Sequence, residues 1–162
     1  MHIPLIIRHP RIPGGVRSSA LVSNLDIMPT ILEDAGLDCS CDGESLFPVL
    51  EGRSAGREAF LMEFHGIRFL YTQRALLRSD GMKYIWSPGD FDELYDLNND
   101  PAEIRNLIDD EAFSSRRDEM IALLKEQVVR YRDPVMDYVH KILGSWESPS
   151  GQVDATNSRY NG

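Results

Sequence analysis

Asp80-Gly81 stands between two alternating apolar runs, 73–79 and 82–86, and constrains the fold more than any other dipeptide in the chain. This pair tolerates the positive φ of a type I′ turn, so the two runs are expected to pair as an antiparallel hairpin. Two more runs, 59–64 and 93–97, bring the count to four and predict a small antiparallel sheet. After the last run Asn98-Asn99 turns the chain. Asp100, Pro101 and Glu103 then stand in the order of an N-cap, a first helical position and a capping-box partner, so a helix is expected to open there. From 113 to 132, Met120, Ile121, Leu124, Val128 and Tyr131 recur at helical spacing and supply one apolar face to cover the sheet. Asp133-Pro134 interrupts that pattern. A second short helix is predicted over 135–143, and the polar stretch 144–162 reads as a disordered tail.

The first fifty residues have a different texture. Residues 3–7 are almost continuously apolar, as in a strand buried on both faces. Such a strand needs neighbours at its edges, and its position two residues into the chain leads to the expectation that the chain was cut from a larger domain. Residues 8–18 read as a loop and 20–22 as another short strand. Asp26 is placed to cap a helix that carries Pro29 in its first turn, turns Ile27, Met28, Ile31, Leu32 and Ala35 to one side, and ends at Gly36. Asp42-Gly43 marks a turn, Ser45 the cap of a short helix through Leu50, and 51–57 a polar linker. The expected division is therefore an α/β fragment over 1–52, an α+β unit of sheet and helix over 53–143, and the tail 144–162.

Composition narrows the function classes. A chain of 162 residues with 42% hydrophobic residues can bury a core. A formal charge of −9 gives no net attraction to nucleic acid or to an anionic membrane, so neither is expected as a partner. No apolar run is long enough for a signal core or a bilayer span. Cys39 and Cys41, one residue apart, are expected to remain ordinary thiols, because the spacing suits neither a mutual disulfide nor a two-pair zinc site.

Five segments together resemble the sulfatase family, the arylsulfatase-like hydrolases of sulfate esters. Residues 93–107, ELYDLNNDPAEIRNL, are similar to the family's "ELYDL-x-x-DP-x-E-x-x-NL". PLIIRHP at 4–10 is similar to its "PLIIR-x-P", and VSNLDIMPTIL at 22–32 to its "VS-x-x-D-x-x-PT-x-L". DGESL at 42–46 resembles "DG-x-SL", and RSDGMKYI at 78–85 resembles "R-x-x-x-x-KYI". Their order along the chain is the family's own. The resemblance implies that residues 1–52 complete an alkaline-phosphatase-like α/β domain and that the four-stranded antiparallel sheet with its helix is the small C-terminal domain. The motif residues themselves have structural readings. Lys83 and Arg78 are expected as cross-strand neighbours on a solvated face, Tyr84 and Trp86 as packing against the helix, and His9 as structural.

For the complete enzyme, the resemblance implies a formylglycine nucleophile made from a C/S-x-P-x-R motif, and a calcium ion that polarises the sulfate. Cys39 precedes Ser-Cys-Asp-Gly and Cys41 precedes Asp-Gly-Glu-Ser, so neither offers that motif, and no catalytic or metal-binding residue is assigned in this chain. The D-x-N-x-D opening at 96–100 lacks the glycine and bidentate glutamate of a calcium loop, since Pro101 and Leu107 stand there. The chain alone is expected to be inactive, with an N-terminal catalytic portion and a sulfated small molecule or glycan as partners of the complete enzyme. Glu63, His65 and Arg68, near the end of the 59–64 run and with Tyr71 close by, form the candidate substrate-pocket cluster. Two other readings remain at this stage: a non-catalytic interaction module, and part of a related phosphodiesterase or phosphonate hydrolase.

Overall fold

The computed structural model describes residues 3–66, 72–88 and 90–134. The chain divides between Glu58 and Ala59 into two compact units.

In the second unit four strands, β1 (Ala59–His65), β2 (Thr72–Arg78), β3 (Met82–Trp86) and β4 (Glu93–Asp96), form one antiparallel sheet in sequential order. Alternation along the strands decides which residues share a face. Leu61, Leu76, Tyr84 and Leu94 lie in one cross-strand row. Met120, Leu124 and Val128, four residues apart on helix α3 (Ser114–Tyr131), join Leu76, Tyr84 and Leu94 in one buried cluster with Met82, Trp86 and Leu107. Tyr131, which continues the same spacing at the end of α3, is exposed. Asp110 caps the short 3-10 turn Glu111–Phe113 that leads into α3, accepting from the Ala112 N–H at 3.0 Å.

At the other end of α3, Arg132 takes a left-handed conformation with φ 52°. The next residue, Asp133, meets Arg74 in a fully buried ion pair. Arg74 also donates to the Thr72 hydroxyl and the Gln73 carbonyl, both at 2.9 Å. The guanidinium is thus surrounded by acceptors, as a buried charge requires.

Three local expectations change in this unit. The hairpin between β2 and β3 is a three-residue connection, with positive φ at Gly81 and not at Asp80. Gly81 donates to the Arg78 carbonyl at 3.0 Å, and Asp80 is drawn instead into a two-oxygen pair with Arg78. Arg78 stands opposite Ala59 and Lys83 opposite Leu77, so the two cations are not cross-strand neighbours.

No helix opens at Asp100. Its carboxylate accepts from the Ile104 and Arg105 N–H groups at 2.8 Å each, and Glu103 adopts φ 56° with its carboxylate on Lys83 at 2.5 Å. The side chain that would close a capping box is therefore committed to the sheet. Asn106 completes this loop by accepting from the Leu94 and Ile108 N–H groups and donating to the Asp92 carbonyl.

In the first unit, α1 (Ile27–Asp34) follows a 3-10 turn, Asn24–Asp26, whose cap is Ser23 rather than Asp26. Asp26 is the capping-box partner, accepting from the Ser23 N–H at 2.8 Å. Gly36 ends the helix at φ 71°. A four-residue helix, α2 (Phe47–Leu50), follows, and Ser45 accepts from the Phe47 N–H at 3.3 Å. Residues 3–9 and 20–22 do not form strands in the structure, and Ile3, Leu5, Ile6 and Ile7 are exposed. Ile27, Met28 and Ile31 of α1 are exposed as well.

His9 has partners that sequence did not reveal. It contacts Asp34 at 3.1 Å and meets the Phe47 ring edge-on at 5.2 Å. Cys39 and Cys41 are joined in a disulfide with their Cα atoms 5.7 Å apart, contrary to the expectation of two thiols. The chain between them folds back enough to bring the Cα atoms within disulfide reach. The predicted helix over 135–143 and the tail over 144–162 lie outside the described residues.

Candidate functional site

The polar centre of the first unit is Asp26, which is 1% exposed. Arg57 grips both of its carboxylate oxygens at 2.5 Å, and the Glu44 N–H donates to it at 2.9 Å. Burial pushes the Asp26 carboxyl up, but the Arg57 guanidinium and the N–H groups of Glu44 and Ser23 outweigh it and hold the group below its ordinary value. A second line of contacts runs beside it. The Thr30 hydroxyl donates to the Asp26 carbonyl at 2.5 Å and accepts from the Leu46 N–H at 2.9 Å.

Gly43 must be glycine here, because a Cβ on it would stand 2.1 Å from the Leu25 carbonyl oxygen. A cavity of about 180 Å³ opens beside this node, lined in part by Val22, Glu44, Ser45, Leu46 and Arg57. Its charged lining is Asp26, Glu44 and Arg57, two carboxylates against one guanidinium. Such a wall repels sulfate rather than binding it.

Glu63 and His65 sit two residues apart on β1 and therefore on the same face, with Glu63 Oε2 and His65 Nε2 3.0 Å apart. Both are exposed at the end of the strand. Glu63 stands opposite Arg74 and His65 opposite Thr72. The structure thus brings two of the three predicted pocket residues together. Arg68 and Tyr71 lie outside the described residues.

Two features of the first unit escaped sequence reading. Arg57 stands in a polar linker with no periodic pattern, and its partner Asp26 is thirty-one residues away. The Cys39–Cys41 ring has only the C-x-C spacing as a signal. On the chain-entropy account, a loop of three residues stabilises by roughly 1.6 kcal/mol, against about 3 kcal/mol for a fifteen-residue loop.

The family described as N-sulphoglucosamine sulphohydrolase, C-terminal, matches residues 1–133. This chain belongs to the sulfatase family. It is 33% identical to an N-acetylglucosamine-6-O-sulfatase of Bacteroides thetaiotaomicron over 156 residues, covering 87% of this chain and 27% of that protein. It is 35% identical to arylsulfatase K of Rattus norvegicus over 119 residues, covering 65% of this chain and 21% of that protein. A solved structure of a protein in complex with its substrate D-glucosamine-2-N,6-O-disulfate superimposes with a TM-score of 0.71 at 31% identity, covering 79% of this chain and 28% of that one. The phosphonate monoester hydrolase of Agrobacterium radiobacter gives a TM-score of 0.51 at 28% identity, over 63% of this chain and 24% of that one. The chain thus spans about a quarter of the length of these relatives and corresponds to the C-terminal portion of a sulfatase.

The sulfatase motifs acquire physical roles from the geometry. In "VS-x-x-D-x-x-PT" and "DG-x-SL", Asp26 and Thr30 are fastened to Glu44 and Leu46, and Gly43 admits the close approach. In the 93–107 segment, Glu103 is paired to the lysine of "KYI" and Asn106 is fastened to β4. Both cysteines are bonded to each other, and among the described residues no three His, Cys, Asp or Glu side chains group to hold a metal ion. No helix of the described residues is long and apolar enough to cross a membrane.

Proposed function

We propose that the protein carrying this chain hydrolyses a sulfate ester on a sulfated sugar, and that this chain contributes architecture and a substrate-facing rim rather than the reacting groups. The 33% identity to an N-acetylglucosamine-6-O-sulfatase over 87% of this chain carries this reading, within the family matched over residues 1–133. It is supported by the neighbour in complex with D-glucosamine-2-N,6-O-disulfate. In this proposal formylglycine and calcium belong to the portion of a sulfatase that lies outside the match. That portion also covers the exposed apolar run Ile3, Leu5 and Ile6.

Glu63 and His65 form the described part of the rim, with Arg68 completing it. In this rim Glu63 fixes the His65 ring, and the two side chains together meet a sugar hydroxyl. A net attraction for sulfate needs a cation beyond this pair, which is the role proposed for Arg68.

The test is sulfate release by the complete protein from glucosamine 6-O-sulfate and N-sulfate, beside phosphonate monoesters. Sulfate release with little phosphonate cleavage is expected. The reverse preference would favour the second reading, a phosphonate hydrolase, which the Agrobacterium radiobacter neighbour motivates. His65→Ala should change the ratio of kcat/KM values between the two sulfated sugars with a stability change within about 0.5 kcal/mol. An unchanged ratio removes Glu63 and His65 from the rim. Residues 1–162 alone are expected to release no sulfate.

A further inference from the structure

We propose that the Cys39–Cys41 disulfide is a reversible thiol-exchange site rather than a structural staple. Three observations meet in this loop. The bond closes a ring with a sequence separation of 2, so it removes little freedom from the unfolded chain and has little to contribute as a cross-link. Both cysteines are half-buried rather than sealed in a core, the setting in which a disulfide is open to exchange with a small thiol. The loop is held independently of the bond. Glu44 is fastened to Asp26 and Gly43 lies against the Leu25 carbonyl, so opening the ring frees residues 38–42 without dismantling the node beside them.

The chemistry requires a low-molecular-weight thiol as reductant. Its thiolate attacks one cysteine sulfur and forms a mixed disulfide, and the other cysteine leaves as a thiolate that takes up a proton. A second molecule of the thiol attacks the mixed disulfide, releasing the remaining protein thiol and the oxidised reductant. In total, one protein disulfide and two thiols become two protein thiols and one small-molecule disulfide, and the reverse direction restores the ring. Asp38 and Asp42 flank the pair and oppose the approach of an anionic thiol. Cysteamine, a cationic thiol, is therefore the reductant to use.

No Lys or Arg lies between Arg17 and Arg53, so trypsin releases both cysteines on one peptide, 18–53, which mass spectrometry resolves from any other cysteine of the complete protein. The folded, complete protein is equilibrated with cysteamine and cystamine at several ratios, quenched, alkylated and digested. Peptide 18–53 is expected to pass from no alkyl group in cystamine to two in cysteamine, and to return when the ratio is reversed. Cys41→Ser should carry one cysteamine on Cys39 as a mixed disulfide in cystamine, because no neighbouring thiol remains to expel it, and should lose it to a second cysteamine when the ratio is reversed. The double variant Cys39→Ser, Cys41→Ser should melt within about 2 °C of the wild type. A disulfide that yields only after denaturation, two alkyl groups even in cystamine, or a large fall in Tm for the double variant would each overturn the proposal.

Discussion

The two units are held by different physics. In the second, nine residues from three strands, one loop and α3 form a continuous buried apolar cluster, and the fully buried Arg74–Asp133 pair is tied to Thr72 and Gln73. In the first, the buried hydrophobic residues are Leu46 and Phe47 among the described positions, and the most buried side chain is a carboxylate, Asp26. One unit can be specified by alternation and helical period. The other depends on a few polar contacts between distant residues. Recognisable sequence and stability therefore do not coincide, since sulfatase motifs occur in both units.

The largest effect expected is on the polar node. Arg57→Ala strands the buried Asp26 carboxylate and should destabilise the first unit by about 3–5 kcal/mol, read as lost amide protection in α1 with the β-sheet unaffected. Equal loss in both units would break the contrast. Leu124→Ala makes the complementary cut. The side chain is fully buried against the sheet, and its removal should cost the second unit about 2–5 kcal/mol, measured by denaturant unfolding, while α1 keeps its protection. Asn106→Ala leaves the Leu94 and Ile108 N–H groups without their side-chain acceptor, and a loss of about 1–3 kcal/mol is expected in the same unfolding measurement. An unaltered midpoint would remove the 93–107 loop from the stability of the sheet.

Acid sharpens the comparison further. The Asp26 carboxyl has a folded pKa below its unfolded value, so the unfolded state binds more protons as pH falls below about 4. Its stabilisation is present above the unfolded pKa and is lost as pH falls through the folded one. Wild type should lose α1 structure below about pH 4 more steeply than Asp26→Asn, followed by backbone amide NMR.

How far the sequence could be read follows the same division. The strand from Met82 to Trp86 and the covering face of Met120, Leu124 and Val128 were legible, because periodicity of two or about 3.6 records burial directly. The helix expected at Asp100 was not formed. Local capping chemistry was present, but Glu103 found Lys83 on β3 and Asn106 found β4, and these contacts across the sheet prevailed over the local signal. In the first unit, the apolar run 3–7 read as a buried strand, yet burial needs a partner surface and these residues are exposed. Of the candidate rim, the pairing of Glu63 with His65 follows from their spacing of two on a strand. The Asp26–Arg57 pair had no local signal at all, since ion pairs between distant residues leave no period in the sequence.

Native-state hydrogen exchange on wild type tests the central claim, that an apolar core holds one unit and a polar node the other. The amides of Leu76, Tyr84 and Leu94 should exchange only through global unfolding, while those of 31–34 in α1 exchange through a smaller opening that denaturant barely promotes. Equal opening free energies with equal denaturant dependence in the two sets would contradict it.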